Sequence, residues 1–243
     1  MRLFPFIKRI TTPLQLEVDV HSHLLPGVDD GVENLGKSIA ILKGLWESGW
    51  KKVVLTPHQM EGFFVSDVEK LEKIKKELEE ELKKEGILLQ LELGGEYYTE
   101  PEIVEKIENR EEKLLTIGGK YLLFEFPLGF ISPLVERMVS AIKNRGLTPI
   151  LAHPERYPYL TPTDYQELKE MGVLFQSTIG SFGGRYGKNV KKRALHLAKE
   201  KMVDFLGSDI HNWQDFRFTQ HLLTSHSFTY LLSKNPLKNQ SLL

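Results

Sequence analysis

The sequence predicts an α/β fold in which a parallel β-sheet closes into a barrel. Short apolar segments alternate with longer amphipathic segments along the 243 residues, which is typical of right-handed strand–helix–strand units. Most of the apolar segments end in a histidine, an aspartate or a glutamate. A closed barrel gathers such ends at one mouth, whereas an open sheet spreads them along an edge, so the barrel is favoured.

Seven segments are predicted as strands because they are short and rich in Val, Leu, Ile or Phe, as buried parallel strands are. In chain order they are residues 16–20, 52–56, 88–93, 121–126, 148–152, 173–176 and 205–207. Helices are predicted between them at residues 35–47, 68–85, 102–110, 133–144, 164–171 and 189–201. The helix at 68–85 is the clearest, because its apolar residues recur every three or four positions.

Composition indicates one globular domain. Apolar residues make up 41% and charged residues 27% of the chain, which is typical of a soluble protein with a core. We expect residues 1–243 to form one domain, with an N-terminal leader at 1–15 and a helical tail at 213–243. The net charge of −1 gives no basic excess for binding nucleic acid or an anionic membrane.

The sequence also predicts a cytoplasmic protein. No stretch approaches the roughly 18 apolar residues of a membrane span, and Pro5, Lys8 and Arg9 interrupt the first apolar run, so it does not resemble a signal peptide. A short amphipathic start that touches a membrane or a partner is the alternative. The chain has no cysteine, which excludes disulfides, sulfur-ligated metals and a thiolate nucleophile.

Candidate functional side chains follow six of the seven predicted strands. The sixth strand ends only in Gln176 and Ser177. The other strands lead, in order, into Asp19-Val20-His21-Ser22-His23 with Asp29-Asp30-Gly31, Thr56-Pro57-His58, Gly94-Gly95-Glu96, Glu125, His153-Pro154-Glu155-Arg156, and Ser208-Asp209-Ile210-His211.

This pattern indicates a polynuclear metal site. Residues two apart on an extended segment point to the same side, so His21 and His23 can hold one metal, and Asp209 and His211 repeat the spacing. A lone His58 or His153 is also compatible with a hydrogen-bonded core histidine, and Glu125 with a buried partner for an arginine. Such a convergence without metal is electrostatically costly. His196, His221 and His226 have no partner at ligand spacing in the sequence.

The order of these motifs resembles the polymerase and histidinol phosphatase (PHP) superfamily. The similarity extends from about residue 18 to residue 212 and is greatest to the bacterial metal-dependent tyrosine-protein phosphatases of capsule and exopolysaccharide gene clusters. Two motifs are characteristic of that branch: the His-x-His-x-Leu-Pro-Gly-x-Asp-Asp-Gly run that begins at His21, and Ala152-His153-Pro154-Glu155-Arg156-Tyr157.

The resemblance implies a distorted seven-stranded (β/α)7 barrel with three divalent metal ions, commonly manganese. Iron and zinc also suit a ligand set of imidazoles and carboxylates without sulfur. By position, one metal takes His21, His23, Glu96 and Asp209. A second takes Glu96, Glu125 and His153, and a third takes Asp30, His58 and His211.

The activity implied is hydrolysis of a phosphomonoester by a metal-activated hydroxide that attacks phosphorus. The implied substrate is a phosphotyrosine protein, such as a tyrosine kinase or regulator of capsule or exopolysaccharide synthesis. Three alternatives stay open: a small-molecule phosphatase such as histidinol-phosphatase, a PHP-type nuclease, and a non-catalytic metal-binding partner. The near-neutral charge argues against the nuclease.

Two arginines are candidates for binding the phosphate. The fork of Arg156 matches two phosphate oxygens, although an ion pair with Glu155 or a barrel carboxylate is the structural alternative. The resemblance implies a second arginine after the last histidine, which makes Arg217 a candidate. The glycine-rich segment 180–187 is compatible both with a pocket wall and with a surface loop.

Overall fold

The computed structural model describes residues 16–64 and 67–243. The predicted leader at 1–15 lies outside these residues. The strands found in the described ranges are β1 (Val18–Asp19), β2 (Lys52–Leu55), β3 (His58–Gln59), β4 (Gln90–Leu93), β5 (Glu96–Tyr98), β6 (Tyr121–Glu125), β7 (Thr148–Ala152), β8 (Leu174–Thr178) and β9 (Phe205–Gly207). All pairings between these strands are parallel, which confirms the predicted α/β class.

Helices follow most of the strands, as the sequence predicts. In the described part of the chain they are α1 (Leu35–Glu47), α2 (Val68–Lys84), α3 (Pro101–Glu108), α4 (Val135–Asn144), α5 (Pro162–Glu170), α6 (Ile179–Gly183), α7 (Lys188–Lys199), α8 (Trp213–Leu223) and α9 (His226–Leu232). Short 3-10 helices form at Pro154–Arg156 and Asn239–Leu242. The predicted helical tail therefore consists of α8, α9 and a terminal 3-10 turn.

The expectation of seven strands in one barrel is wrong. The described strands form a three-stranded sheet, β1-β2-β4, and a six-stranded sheet, β3-β5-β6-β7-β8-β9. The second predicted strand, 52–56, is found as β2, and β3 is a further short strand after Pro57, which has no N–H to donate to a ladder. In the same way, Gly94-Gly95 separates β4 from β5, and these two strands belong to different sheets.

The two sheets curl towards each other as a half-barrel. A parallel bridge joins Ser22 to Ile210. The Asp209 N–H donates to the His21 carbonyl at 2.8 Å, and the His23 N–H donates to the Ile210 carbonyl at 3.0 Å. These bonds connect the segment after β1 with the segment after β9, so the carboxyl ends of the first and last strands meet.

Successive side chains of a strand point to opposite faces of the sheet, and the side chains on the inner face change from apolar to polar along the strand. On β6, Tyr121 and Leu123 face an inner apolar cluster, and Glu125 lies on the same face at the carboxyl end. Leu122 and Phe124 face outward into the larger core shared with the helices. The interior is therefore apolar towards the amino ends of the strands and polar at the carboxyl ends.

The C-terminal 3-10 turn closes the amino end of the half-barrel. The Asn239 Nδ2 donates to the carbonyls of Val18 and Leu206 at 2.9 and 2.7 Å. Leu242 joins the inner apolar cluster, and its carbonyl accepts from Lys52 Nζ. Within residues 16–64 and 67–243, no helix is both long and apolar enough to cross a membrane.

Candidate metal and phosphate site

The structure brings the nine predicted ligand residues into one network, which lies at the ends of β1, β6, β7 and β9 and at the starts of the short strands β3 and β5. Glu96, at the start of β5 and fully buried, lies at its centre. Its Oε2 lies 3.2 Å from His21 Nε2, His23 Nε2 and His58 Nδ1, and its Oε1 lies 3.0 Å from His153 Nε2. One carboxylate thus contacts four imidazoles, which is the geometry that a bridging ligand requires.

The remaining predicted residues extend this network on three sides. Asp209 Oδ1 lies 3.6 Å from both His21 Nε2 and His23 Nε2. Glu125 Oε1 lies 3.1 Å from His58 Nδ1. Nearer to solvent, Asp30 Oδ1 lies 3.3 Å from His58 Nε2 and 3.5 Å from His211 Nε2.

Among residues 16–64 and 67–243, three overlapping groups have donor atoms close enough to hold a metal. They are His21/His23/Glu96, His58/Glu96/Glu125 and His23/Asp30/His58/His211. The first and third resemble the predicted ligand sets. The second differs, because His58 stands where the resemblance places His153, although His153 also contacts Glu96.

The residues present fit divalent cations. The buried Glu96 Oε2 and His58 Nδ1 make no hydrogen bond of good geometry among the described residues, although they lie 3.2 Å from each other and His58 Nδ1 lies 3.1 Å from Glu125 Oε1. Buried polar atoms are normally paired, and these atoms face other potential ligands. Imidazole nitrogens and carboxylate oxygens without sulfur suit manganese, iron or zinc.

Without metal, protons bound to the histidines balance the negative charge of the carboxylates in the cluster. Burial alone would lower the pKa of His21, but the charges of Glu96 and Asp209 outweigh it and raise that pKa to about 9. Burial likewise opposes protonation of His58, and Glu96 with Asp30 raises its pKa to about 12. Conversely, burial would raise the pKa of Glu96, yet the imidazoles hold it well below its usual range. Metal ions would replace these protons on binding.

Two residues orient the histidines from outside the cluster. The His21 Nδ1 donates to Gln176 Oε1 at 2.7 Å, and the His23 Nδ1 donates to Asp29 Oδ2 at 2.8 Å. Both bonds direct an Nε2 atom towards Glu96, and such partners fix the ring orientation of metal-binding histidines. Sequence reasoning assigned Asp29 no separate role and named Gln176 only as the end of the strand that lacked a candidate ligand. The position of Gln176 at the end of a strand was the one sequence feature that could have indicated its role in orienting His21.

Three residues at the site have an unusual backbone conformation or an unusually close backbone contact. His153 and Asp209 adopt left-handed φ angles of 34° and 54°, a conformation that strains residues with a side chain and is concentrated at functional sites. Gly31 approaches the backbone so closely that a Cβ there would lie 2.1 Å from the His23 carbonyl oxygen. A side chain at Gly31 would displace the loop that presents Asp30.

An open cavity of about 540 Å³ lies above the cluster. Arg156 lines it, with Nη1 3.3 Å from Asp209 Oδ2 and its guanidinium 4.7 Å from the centre of the Tyr186 ring. Arg156 thus pairs with a barrel carboxylate, the structural alternative that the sequence left open, while a quarter of its side chain (24%) stays exposed to the cavity.

The other predicted arginine lies elsewhere. Arg217 is exposed on α8 and is absent from the described cavity wall. The wall contains Arg185 and Tyr186 instead. The glycine-rich segment 180–187 therefore lines the cavity, which was one of its two interpretations. Arg185 and Tyr186 were not individually predicted, and the clustered glycines were the only signal that pointed to them.

Comparison with known proteins finds a matching family and tyrosine-protein phosphatases among the relatives. A family model described as capsular polysaccharide synthesis, CpsB/CapC, matches residues 17–221. The chain is 29% identical over 238 residues to the tyrosine-protein phosphatase YwqE of Bacillus subtilis (strain 168), covering 93% of each chain. It is 32% identical over 203 residues to the tyrosine-protein phosphatase CpsB of Streptococcus pneumoniae, covering 80% of this chain and 83% of that protein.

Solved structures agree with these relatives. The fold is similar to crystal structures of YwqE from Bacillus subtilis and CpsB from Streptococcus pneumoniae, described as metal-dependent tyrosine phosphatases, with a TM-score of 0.77 at 28% identity over 90% of this chain and 92% of that chain. A histidinol phosphate phosphatase of Lactococcus lactis, solved with zinc, L-histidinol and phosphate, shares the fold with a TM-score of 0.51 at 13% identity, over 87% of this chain and 94% of that one.

The family match spans all nine residues of the cluster together with the strands that carry them. The resemblance found in the sequence motifs is confirmed by this match and by the phosphatases above. The chain belongs to the CpsB/CapC family of capsular polysaccharide synthesis.

Proposed function

We propose that the protein is a metal-dependent tyrosine-protein phosphatase that acts in capsular or exopolysaccharide synthesis. The observation that carries this proposal is the buried cluster of imidazoles and carboxylates around Glu96, which forms the floor of an open cavity with Arg156 at its side. Its relatives YwqE and CpsB are tyrosine-protein phosphatases. The proposal takes residues 1–243 as one domain with this single activity.

We propose that the cluster binds three divalent ions. Manganese is the first choice, and iron and zinc are the alternatives. The proposed ligand sets are His21/His23/Glu96/Asp209, Glu96/Glu125/His153 and Asp30/His58/His211. Their support is the contact network described above and the two carboxylate oxygens of Glu96, which face different imidazoles. Bound cations would make a coordinated water acidic enough to attack phosphorus near neutral pH and would neutralise phosphate charge.

Arg156 is proposed to bind the phosphate group. Its guanidinium has donors for two phosphate oxygens, and the Tyr186 ring, stacked 4.7 Å away, keeps it over the cavity. The Tyr186 hydroxyl donates to Asp209 Oδ2 at 3.3 Å, which fixes the ring in turn. A tyrosyl leaving group, with a pKa near 10, needs less protonation than an alkyl alcohol does, so the reaction does not depend on a strong general acid.

A protein substrate agrees with the surroundings of the cavity. The loop after β6 exposes Leu128, Phe130 and Ile131, and Leu128 also lines the cavity. Exposed apolar side chains beside a catalytic cavity can contact residues on either side of a phosphotyrosine. The substrate proposed is a phosphorylated tyrosine kinase or regulator in the cytoplasm.

A comparison of three substrates tests the function. The manganese-loaded protein and a metal-stripped control are assayed on a phosphotyrosine peptide, a phosphoserine peptide and histidinol phosphate. We expect metal-dependent hydrolysis with a clear preference for the phosphotyrosine peptide. Preference for histidinol phosphate would instead establish the small-molecule phosphatase, and absence of hydrolysis with all three would leave the non-catalytic metal-binding protein.

A further inference from the structure

We propose that a second cavity, between α1 and the start of α8, binds an apolar side chain that flanks the phosphotyrosine of the substrate protein. The inference rests on the proposed phosphatase function and concerns how the protein selects the chain around the phosphotyrosine. This flanking cavity has a volume of about 580 Å³, which is within the range of natural ligand pockets.

The walls of the flanking cavity are mainly apolar. Val32, Ala40 and Ile41 come from α1 and the loop before it, and Trp213 comes from the first turn of α8. The Trp213 ring packs against the Phe216 ring with 4.9 Å between their centroids, which holds the indole in place. An apolar side chain in the cavity would therefore cover aliphatic and aromatic surface and withdraw it from water.

The charged side chains of the wall compensate each other. Lys37 Nζ donates to Glu33 Oε2 at 2.7 Å, and the described part of the wall contains no other lysine, arginine, aspartate or glutamate. A charged occupant would find no unpaired partner of opposite sign among these residues and would lose hydration. A neutral apolar side chain fits the cavity better.

The flanking cavity adjoins the cavity above the metal cluster. His211 and Asn212 line both cavities. His211 is a proposed ligand, with Nε2 3.5 Å from Asp30 Oδ1, and Gly31, the residue after Asp30, belongs to the wall of the flanking cavity. A peptide whose phosphate lies over the cluster therefore brings the residues beside its phosphotyrosine to the opening of the flanking cavity.

Strand order places the flanking cavity across the mouth of the half-barrel from the apolar loop after β6. Gly31 and His211 follow β1 and β9, and the Ser22–Ile210 bridge joins the segments after these two strands. Leu128 follows β6, which is three strands away from β9 in the six-stranded sheet. We infer that the substrate crosses the mouth as an extended chain, with one flank on the β6 loop and the other in the flanking cavity.

The test measures binding of peptides that carry a non-hydrolysable phosphonate analogue of phosphotyrosine. In a glycine–serine background, a single phenylalanine is placed in turn at each of the three positions before and after the analogue. Isothermal titration calorimetry compares manganese-loaded wild type with Ala40→Trp, which fills the cavity, and with Glu47→Trp, which places the same ring at an exposed position of α1 outside the wall. Ala40→Leu replaces Ala40→Trp if the larger side chain prevents folding.

We expect phenylalanine at one position to raise the affinity of wild type about tenfold over the background peptide, because its ring leaves water. The same gain is expected in Glu47→Trp, and a gain of less than about twofold in Ala40→Trp. Within each variant, the background peptide reports any general damage to the site, so the ratio of the two affinities isolates the flanking cavity.

Three results would overturn the flanking cavity as a subsite. They are no gain at any position in wild type, an undiminished gain in Ala40→Trp, and dimers in sedimentation velocity that Ala40→Trp abolishes, which would make a second copy of the chain the occupant.

Hydrolysis of the corresponding phosphotyrosine peptides separates this inference from the proposed function. Peptides that bind through the flanking cavity but are not hydrolysed would contradict the proposed function alone. Hydrolysis without any preference for a flanking phenylalanine would contradict the flanking cavity alone.

Discussion

Glu96 and Arg156 belong to the same site but are proposed to have different roles, Glu96 in holding cations and Arg156 in binding phosphate. Glu96 is buried at the centre of the cluster and contacts four imidazoles. Arg156 lies at the cavity wall, where its guanidinium contacts Asp209 and its backbone N–H donates to the His153 carbonyl. A cation site depends on its bridging carboxylate, whereas an arginine at the wall can be lost without removing a proposed ligand.

We therefore predict that Arg156→Ala retains its metal while kcat/KM on a phosphotyrosine peptide falls. Losing charge-assisted hydrogen bonds worth about 1.5–3 kcal/mol corresponds to roughly a 10- to 150-fold decrease. Glu96→Ala should lose metal and activity together, because it removes oxygens shared between cations. Elemental analysis and steady-state kinetics on both variants provide the measurement.

Two results would contradict these assignments. If Arg156→Ala loses metal as Glu96→Ala does, the arginine is structural and does not act through the phosphate. If Glu96→Ala keeps its full metal content and near-normal turnover, the assignment of Glu96 as the central shared ligand is wrong.

At the scale of elements, the loops after the strands determine what approaches the site. The loop after β6 exposes Leu128, Phe130 and Ile131, of which Leu128 lines the cavity, while the segment before β4 exposes Leu88 at the opposite end of the strands. Because all the strands are parallel, a loop that follows a strand and one that precedes a strand lie at opposite ends of the sheet.

This difference predicts that Phe130→Ser impairs hydrolysis of a phosphotyrosine peptide but not of p-nitrophenyl phosphate. The phenyl ring is 60% exposed, and covering it with a peptide would contribute about 1 kcal/mol, or about fivefold in kcat/KM. The control is Leu88→Ser, which removes a still more exposed apolar side chain (82%) far from the cavity and should alter neither rate. A parallel loss on both substrates would place Phe130 in the chemistry or the fold instead of in peptide contact.

For the whole molecule, the cluster joins distant parts of the chain into one folded unit. Its histidines and carboxylates lie on or directly after β1, β3, β5, β6, β7 and β9, and bound cations would connect these segments. Cations that bind the folded chain but not the unfolded chain add stability according to their concentration relative to Kd.

We accordingly predict that chelation lowers the melting temperature and that added manganese restores it. At a free metal concentration 100 times Kd, one site contributes about 2.7 kcal/mol, which corresponds to roughly 5–10 °C for a chain of this size. Differential scanning calorimetry with and without chelator measures the shift. Identical melting temperatures in metal-free and manganese-loaded protein, each checked by elemental analysis, would show that the cluster binds no stabilising metal.

The sequence by itself determined the α/β class and the nine candidate ligands. Parallel strands carry apolar runs and end at one side, so chemistry-bearing residues at strand ends are recognisable without coordinates. The spacing of two between His21 and His23 places both rings on one side of an extended segment.

Only the tertiary structure decided which atoms meet. The bond between His21 and Gln176 joins residues 155 positions apart, and no local pattern encodes such a contact. The division between the two sheets at Pro57 likewise depends on which strands β2 and β3 pair with, and the absence of Arg217 from the described cavity wall depends on which side of α8 faces the cavity. Local rules set periodicity and backbone conformation, whereas long-range packing sets the register between elements and thereby the geometry of the site.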